Sequence, residues 1–157
     1  MLRAVSVDDI QRYLERLREA PIRIATATEG VDAARLHVRT TGEPWSVNDI
    51  LAHVRSAADH RERYIDRMAT GGHVTLSYTS PRSELRKTNY LDLPFGENLA
   101  AYRSKRANLV DRLATMPAEH WSRGSLIRDR PETVATYVDY LTEHEVSHCE
   151  QIEALLG

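Results

Sequence analysis

One cysteine, Cys149, stands in 157 residues, so neither an intramolecular disulfide nor a Cys-rich zinc module can form. Glycine and proline are sparse, at 7 and 6 residues, which excludes collagen-like and low-complexity chains. No apolar run approaches the ~20 residues of a membrane-spanning helix. The segment from Met1 to Ser6 reaches Asp8 and Asp9 without the apolar stretch of a secretory signal, so a cytoplasmic location is expected. Basic and acidic residues, 21 and 23, are interspersed and leave a net charge of −2, so no footprint for nucleic-acid phosphates is present. Lys87 and Lys105 are the only lysines; arginine supplies the remaining basic residues.

What is present is an ordinary globular composition, 41% apolar and 28% charged, with no linker or repeat, which predicts one domain over 1–157. Four segments carry helical periodicity. Ser6 and Asp9 form a capping box that opens a helix with Ile10, Leu14 and Leu17 on one stripe, ending before Pro21. Residues 22–40 read as a second helical piece and a loop. Ser46 and Asp49 form another capping box, and the stripe Ile50, His53, Ala57, Tyr64, Met68 carries that helix to Gly71-Gly72. His73 to Phe95 shows no sustained period and reads as a crossover past a cleft. Glu97 to Met116 is helical through Leu99, Tyr102, Leu109 and Leu113, and Pro117 stops it. Pro131 reads as a first-turn proline of the last helix, whose stripe is Val134, Tyr137, Leu141, His144, His148, Ile152 and Leu155. With no convincing alternating strand, the expectation is an all-α four-helix bundle, more than half helical.

His144 and His148 are four residues apart, hence about 40° apart around the helix and roughly 6 Å along it, so both rings can reach one ion. They share the apolar stripe, which points them inward. His53 occupies the equivalent stripe of the earlier helix, and His60, about 10 Å further along it, is its rival. Three interior imidazoles from two helices match a catalytic metal site with an open position. The alternative is a set of hydrogen-bonded core histidines, although two adjacent buried imidazoles are costly to desolvate with nothing bound. His37, His73 and His120 fall in irregular segments and read as surface residues.

His144-Glu145-Val146-Ser147-His148 also spells the H-E-x-x-H of zincin proteases, in which the glutamate is the general base. Gln151 and Ala154 stand where the extended motif needs glycine and histidine, and too little chain follows His148 to supply a third ligand. Glu145 and His148 likewise form an E-x-x-H, but no second copy exists to build a di-iron carboxylate centre.

Trp45-Ser46-Val47-Asn48-Asp49-Ile50-Leu51-Ala52-His53 together with His144-Glu145-Val146-Ser147-His148-Cys149-Glu150-Gln151-Ile152 resembles the DinB/YfiT-like superfamily. The resemblance spans most of the chain. It implies a four-helix bundle, a divalent metal held by His53, His144 and His148 rather than His60, and a homodimer. It further implies a transferase for a low-molecular-weight thiol of the bacillithiol or mycothiol type. The maleylpyruvate isomerase branch carries a glutamate where this chain has His144.

Three neutral imidazoles leave an ion its full charge to lower the pKa of water or a thiol. Zinc is the first expectation, with nickel, iron or manganese also compatible. Glu145, about 100° around from His144, is the catalytic candidate, leaning to the ion as a base or else pairing with a neighbouring helix. Asp49 is placed to hold the second nitrogen of His53 or to serve its capping box. Tyr140 and Gln151 lie one turn from the histidine pair, and Arg82 and Arg86 in the crossover could bind substrate carboxylates. Cys149 reads as packing. The expected partners are a small thiol and an electrophile, with no nucleic acid and no membrane. A metal-dependent hydrolase and a non-enzymatic metal-binding stress module are the alternatives.

Overall fold

The computed structural model describes residues 4–71 and 74–157; the expectations placed on Met1–Arg3 and on His73 lie outside them. Four long helices form the bundle: α1 (Val7–Thr28), α3 (Val47–Thr70), α5 (Phe95–Thr115) and α6 (Val134–Leu156). Between them come the short helices α2 (Ala33–His37) and α4 (Pro81–Arg86), and strands β1 (Val74–Leu76), β2 (Gly124–Ile127) and β3 (Arg130–Thr133). α1 packs on α5 and α6, and α3 packs on the same two.

Both capping boxes are formed, Ser6 with Asp9 and Ser46 with Asp49, each hydroxyl accepting the N3 amide at 3.0 Å. They satisfy amide groups that an α-helix leaves unpaired at its start. α1 does not end at Pro21 but runs through it to Thr28. An interior proline forfeits one hydrogen bond and costs about 3 kcal/mol in isolation. Here Ala20, Pro21, Ile24 and Thr28 extend the stripe of Leu14 and Leu17 and are all buried, so tertiary packing carries the helix past the break.

The sequence reading missed a small sheet, ordered β1-β2-β3, in which β1 runs parallel to β2 and β3 antiparallel. Pro131 is therefore not in the last helix; it pairs with Leu126 on the edge strand β3, where an absent amide hydrogen is tolerated. Thr133 caps α6 instead, accepting the Thr136 amide at 3.1 Å. The β2–β3 turn places Arg128 and Asp129 at φ of 53° and 59°, the left-handed pair of a type I′ hairpin. Nor is 73–95 irregular throughout, since it contains β1, α4 and a 3-10 turn at Tyr90–Asp92. This crossover is tied to α3: the Tyr64 hydroxyl donates to the Ser77 carbonyl at 2.6 Å, and that of Tyr90 to Asp59 at 2.6 Å.

The core consists of two apolar clusters. One gathers Leu14, Leu17, Ile65, Leu109, Trp121 and Leu141; the other gathers Ile24, Ile50, Leu51, Tyr102, Cys149 and Ile152. Between them in sequence, on three helices, stand buried charges: Glu62 on α3, Arg106 on α5 and Glu145 on α6.

Candidate metal centre

The ligand atoms of His53, His144 and His148 all lie within 4.8 Å of one another, with His53 buried and the other two half-buried. His144 Nε2 sits 3.1 Å from the Nε2 of both partners. Nitrogens at ~2.05 Å from a tetrahedral zinc stand about 3.3 Å apart, so the three imidazoles converge as a coordination set would. α3 delivers His53 through the register fixed by its capping box, and α6 delivers the other two from successive turns. Trp45, just before α3, covers His53 with its ring centre 5.0 Å away.

All three histidines are held neutral. Burial pushes His53 down to about 4 and His144 down to about 2, and Arg61 adds to both shifts. His148 is also lowered by burial, against the opposing hydrogen bond from Gln151. Neutral imidazoles keep the lone pair that a metal needs. The Gln151 side-chain oxygen lies 3.0 Å from His148 Nδ1; it accepts that N–H and leaves Nε2 free to ligate. Nδ1 of His53 and of His144 is buried without a hydrogen-bond partner among the described residues.

The remaining candidates are distributed as follows. His60 stands outside the cluster, with Nδ1 3.9 Å from Glu84. His37 accepts the Phe95 amide at 3.3 Å, and His120 lies in a 3-10 turn. Asp49 does not reach His53 Nδ1; it holds the Ser46 amide at 3.0 Å and Arg39 at 2.9 Å. Of the two roles open to Glu145, the geometry shows the interhelical pair: its Oε1 accepts from Arg106 Nη2, and the carboxylate is no part of the histidine cluster. Arg106 also donates to Glu62 at 3.3 Å. Burial opposes the Arg106 charge, yet the carboxylates outweigh it and keep the guanidinium firmly protonated.

Tyr140 turns its hydroxyl to Arg61 rather than to the histidines. Arg82 stands with its guanidinium carbon 6.0 Å from the Trp45 ring centre, and its charge reaches His53; Arg86 is exposed. The Cys149 thiol is buried, donates to the Ala20 carbonyl at 3.4 Å, and is pushed up to about 12 by burial, which makes it packing. Sequence reading missed Arg61 and Arg106. Their signal was present: each is a charge at helical spacing from apolar stripe residues, Arg61 between Ala57 and Tyr64, and Arg106 between Tyr102 and Leu109.

A family model described as the DinB superfamily matches residues 6–152. Among solved structures, YfiT from Bacillus subtilis, described as a probable metal-dependent hydrolase with an unusual four-helix bundle topology, aligns with a TM-score of 0.78. It shares 14% identity over 98% of this chain and 91% of its own. A mycothiol-dependent maleylpyruvate isomerase aligns with a TM-score of 0.73 and 16% identity, over 91% of this chain and 60% of its own. This chain thus spans less than two thirds of the isomerase, and at these identities the likeness concerns the fold. No curated protein matches the sequence.

Proposed function

The chain belongs to the DinB superfamily, and from that premise we propose a divalent-metal-dependent enzyme that transfers a low-molecular-weight thiol, of the bacillithiol or mycothiol type, to a small electrophile. The observation that carries this reading is the convergence of three neutral imidazoles, from α3 and α6, on one point. A bound divalent ion, zinc first, supplies Lewis acidity that brings a thiol or water to its anionic form near neutral pH.

The residues of the chain do the rest. His53, His144 and His148 hold the ion, and Gln151 fixes the tautomer and ring of His148. Trp45 shields His53 from water, while His144 and His148 remain half-open, which is the side from which substrate enters and a thiol proton leaves to solvent. Arg61 makes the surroundings of the triad positive, and this favours a thiolate over a thiol. Glu145, locked to Arg106, holds α6 to α5 and so positions the histidine pair. A hydrolase is the second reading; it is favoured by the description of YfiT as a probable metal-dependent hydrolase, and it would place water where the thiol stands.

The test is elemental analysis of untagged protein beside His53→Ala and His148→Ala. About one equivalent of metal per chain, lost in both variants, is expected for a three-ligand site. Chelator-sensitive conjugation of a thiol to an aryl halide then supports the transferase, and thiol-independent ester cleavage supports the hydrolase. No metal, and no uptake of zinc, nickel, iron or manganese when supplied, overturns both.

A further inference from the structure

Among the described residues two arginines are almost wholly buried, Arg61 at 4% and Arg106 at 1% exposure, and they are treated differently. Arg106 is met by two carboxylates, those of Glu62 and Glu145. Arg61 meets none among the described residues. Its Nη2 donates to the Tyr140 hydroxyl at 3.2 Å, and its guanidinium carbon lies 4.7 Å from the Tyr140 ring centre. Nη1 is buried and has no acceptor among the described residues. A guanidinium withdrawn from water without a counter-charge is strongly disfavoured, so a lasting arrangement of this kind marks the place of a missing anion.

The position of Arg61 says which site that anion enters. Arg61 follows His53 by eight residues on α3, about 12 Å along the axis and roughly 80° around, and helical side chains lean toward the N-terminus, here toward His53. Tyr140, its partner, is one turn before His144 on α6. No carboxylate joins the histidine cluster among the described residues: Asp49 is engaged with Ser46 and Arg39, and Glu145 with Arg106. A divalent ion added to this set would leave a cluster of positive charge with no protein anion beside it.

We propose that Arg61, with its guanidinium held by Tyr140, is the seat for a substrate carboxylate, which its free Nη1 receives while the reacting group of the same or a second substrate occupies the metal. This rests on the metal-centre reading and names its substrate class: carboxylate-bearing thiols or electrophiles rather than neutral ones. Tyr140 is a positioning residue, acting through Arg61.

Calorimetric dissociation constants on zinc-loaded protein test this, with three probes: mercaptopropionate, which has a thiol and a carboxylate; mercaptoethanol, which has the thiol alone; and fumarate, a carboxylated electrophile without a thiol. One charge-assisted hydrogen-bonded contact predicts a preference of about tenfold to a hundredfold for mercaptopropionate over mercaptoethanol. In Arg61→Gln both thiols weaken through the lost positive charge, but mercaptopropionate weakens more, so the preference falls to near unity, and Arg61→Lys restores part of it. Tyr140→Phe, at a half-exposed position that tolerates the change, reduces the preference by a smaller factor and gives the same answer should Arg61→Gln fail to fold. If the thiols bind alike but fumarate weakens tenfold in the Arg61 and Tyr140 variants, the seat serves the electrophile. Fumarate binding that depends on Arg61, with no binding of mercaptoethanol to wild type, sinks the thiol-transfer reading and keeps the seat. Equal affinity of both carboxylate probes for wild type and every variant overturns the proposal.

Discussion

Replacing Arg106 by methionine removes the one cation that, among the described residues, meets Glu145 in the interior. Glu145 and Glu62 are 2% and 3% exposed at their side chains, but they are not equally affected. Glu62 keeps Lys105 at 3.7 Å and Arg112 at 3.5 Å. Among the described residues Glu145 has no other ion pair, and its Oε2 already lacks a hydrogen-bond partner. Stranding one buried charge costs about 3–5 kcal/mol. For a chain of this size that is a melting-point drop of about 10 °C, read by circular dichroism.

Adding Glu145→Leu removes the stranded charge, and the double variant should recover most of the loss, because a buried ion pair is worth little net against apolar packing. A single variant within about 1 kcal/mol of wild type, or a double variant no more stable than the single, would refute this account of the layer.

In chelator-treated wild type, the depressed values of His53, about 4, and His144, about 2, mean that only the unfolded chain binds their protons near pH 5.5. Stability should fall by roughly 3 kcal/mol between about pH 7.5 and about pH 5.5, visible as a lower urea midpoint; a flat profile contradicts their burial. Gln151→Leu should weaken zinc binding about 10- to 100-fold in competition with a chromophoric chelator, with the helical spectrum unchanged. Cys149, buried with a thiol pushed up to about 12, should resist a disulfide reagent until urea unfolds the chain. Rapid labelling of folded protein would show that this part of α6 opens locally.

The starts of α1 and α3 and the converging histidines were legible because each rests on local chemistry. A capping box is four residues long, and an i,i+4 histidine pair on an apolar stripe fixes its own direction. Spacing could not choose between His53 and His60, since both lie on the inner stripe of α3; contact with α6 separates them, and Glu84 lies beside His60. Pro21 and Pro131 misled for opposite reasons. Pro21 obeys a local rule that burial of Ala20 and Ile24 overrides. Pro131 obeys an edge-strand rule that appears only once β2 is in place. The hairpin itself was hidden because Arg128-Asp129 takes the turn that Asn-Gly usually marks. Gly124 was its one local sign: a Cβ there would sit 2.6 Å from the Glu132 carbonyl oxygen. Glu145 could not be assigned without Arg106, which is 39 residues away.

The charged layer between the two apolar clusters also acts as a key against sliding. Leucine-rich helices can slip past one another by a turn at small cost, because one aliphatic contact replaces another. Here a slip of α5 against α6 by one turn would carry the Arg106 guanidinium from Glu145 to the level of Leu141 on one side, or of Cys149 on the other, with no α6 carboxylate to meet it. The bundle is thereby indexed to one axial setting. His53 is nine residues from Glu62 along α3, and His144 adjoins Glu145 on α6, so the notch that stops the helices from sliding also aligns the rows of imidazoles face to face.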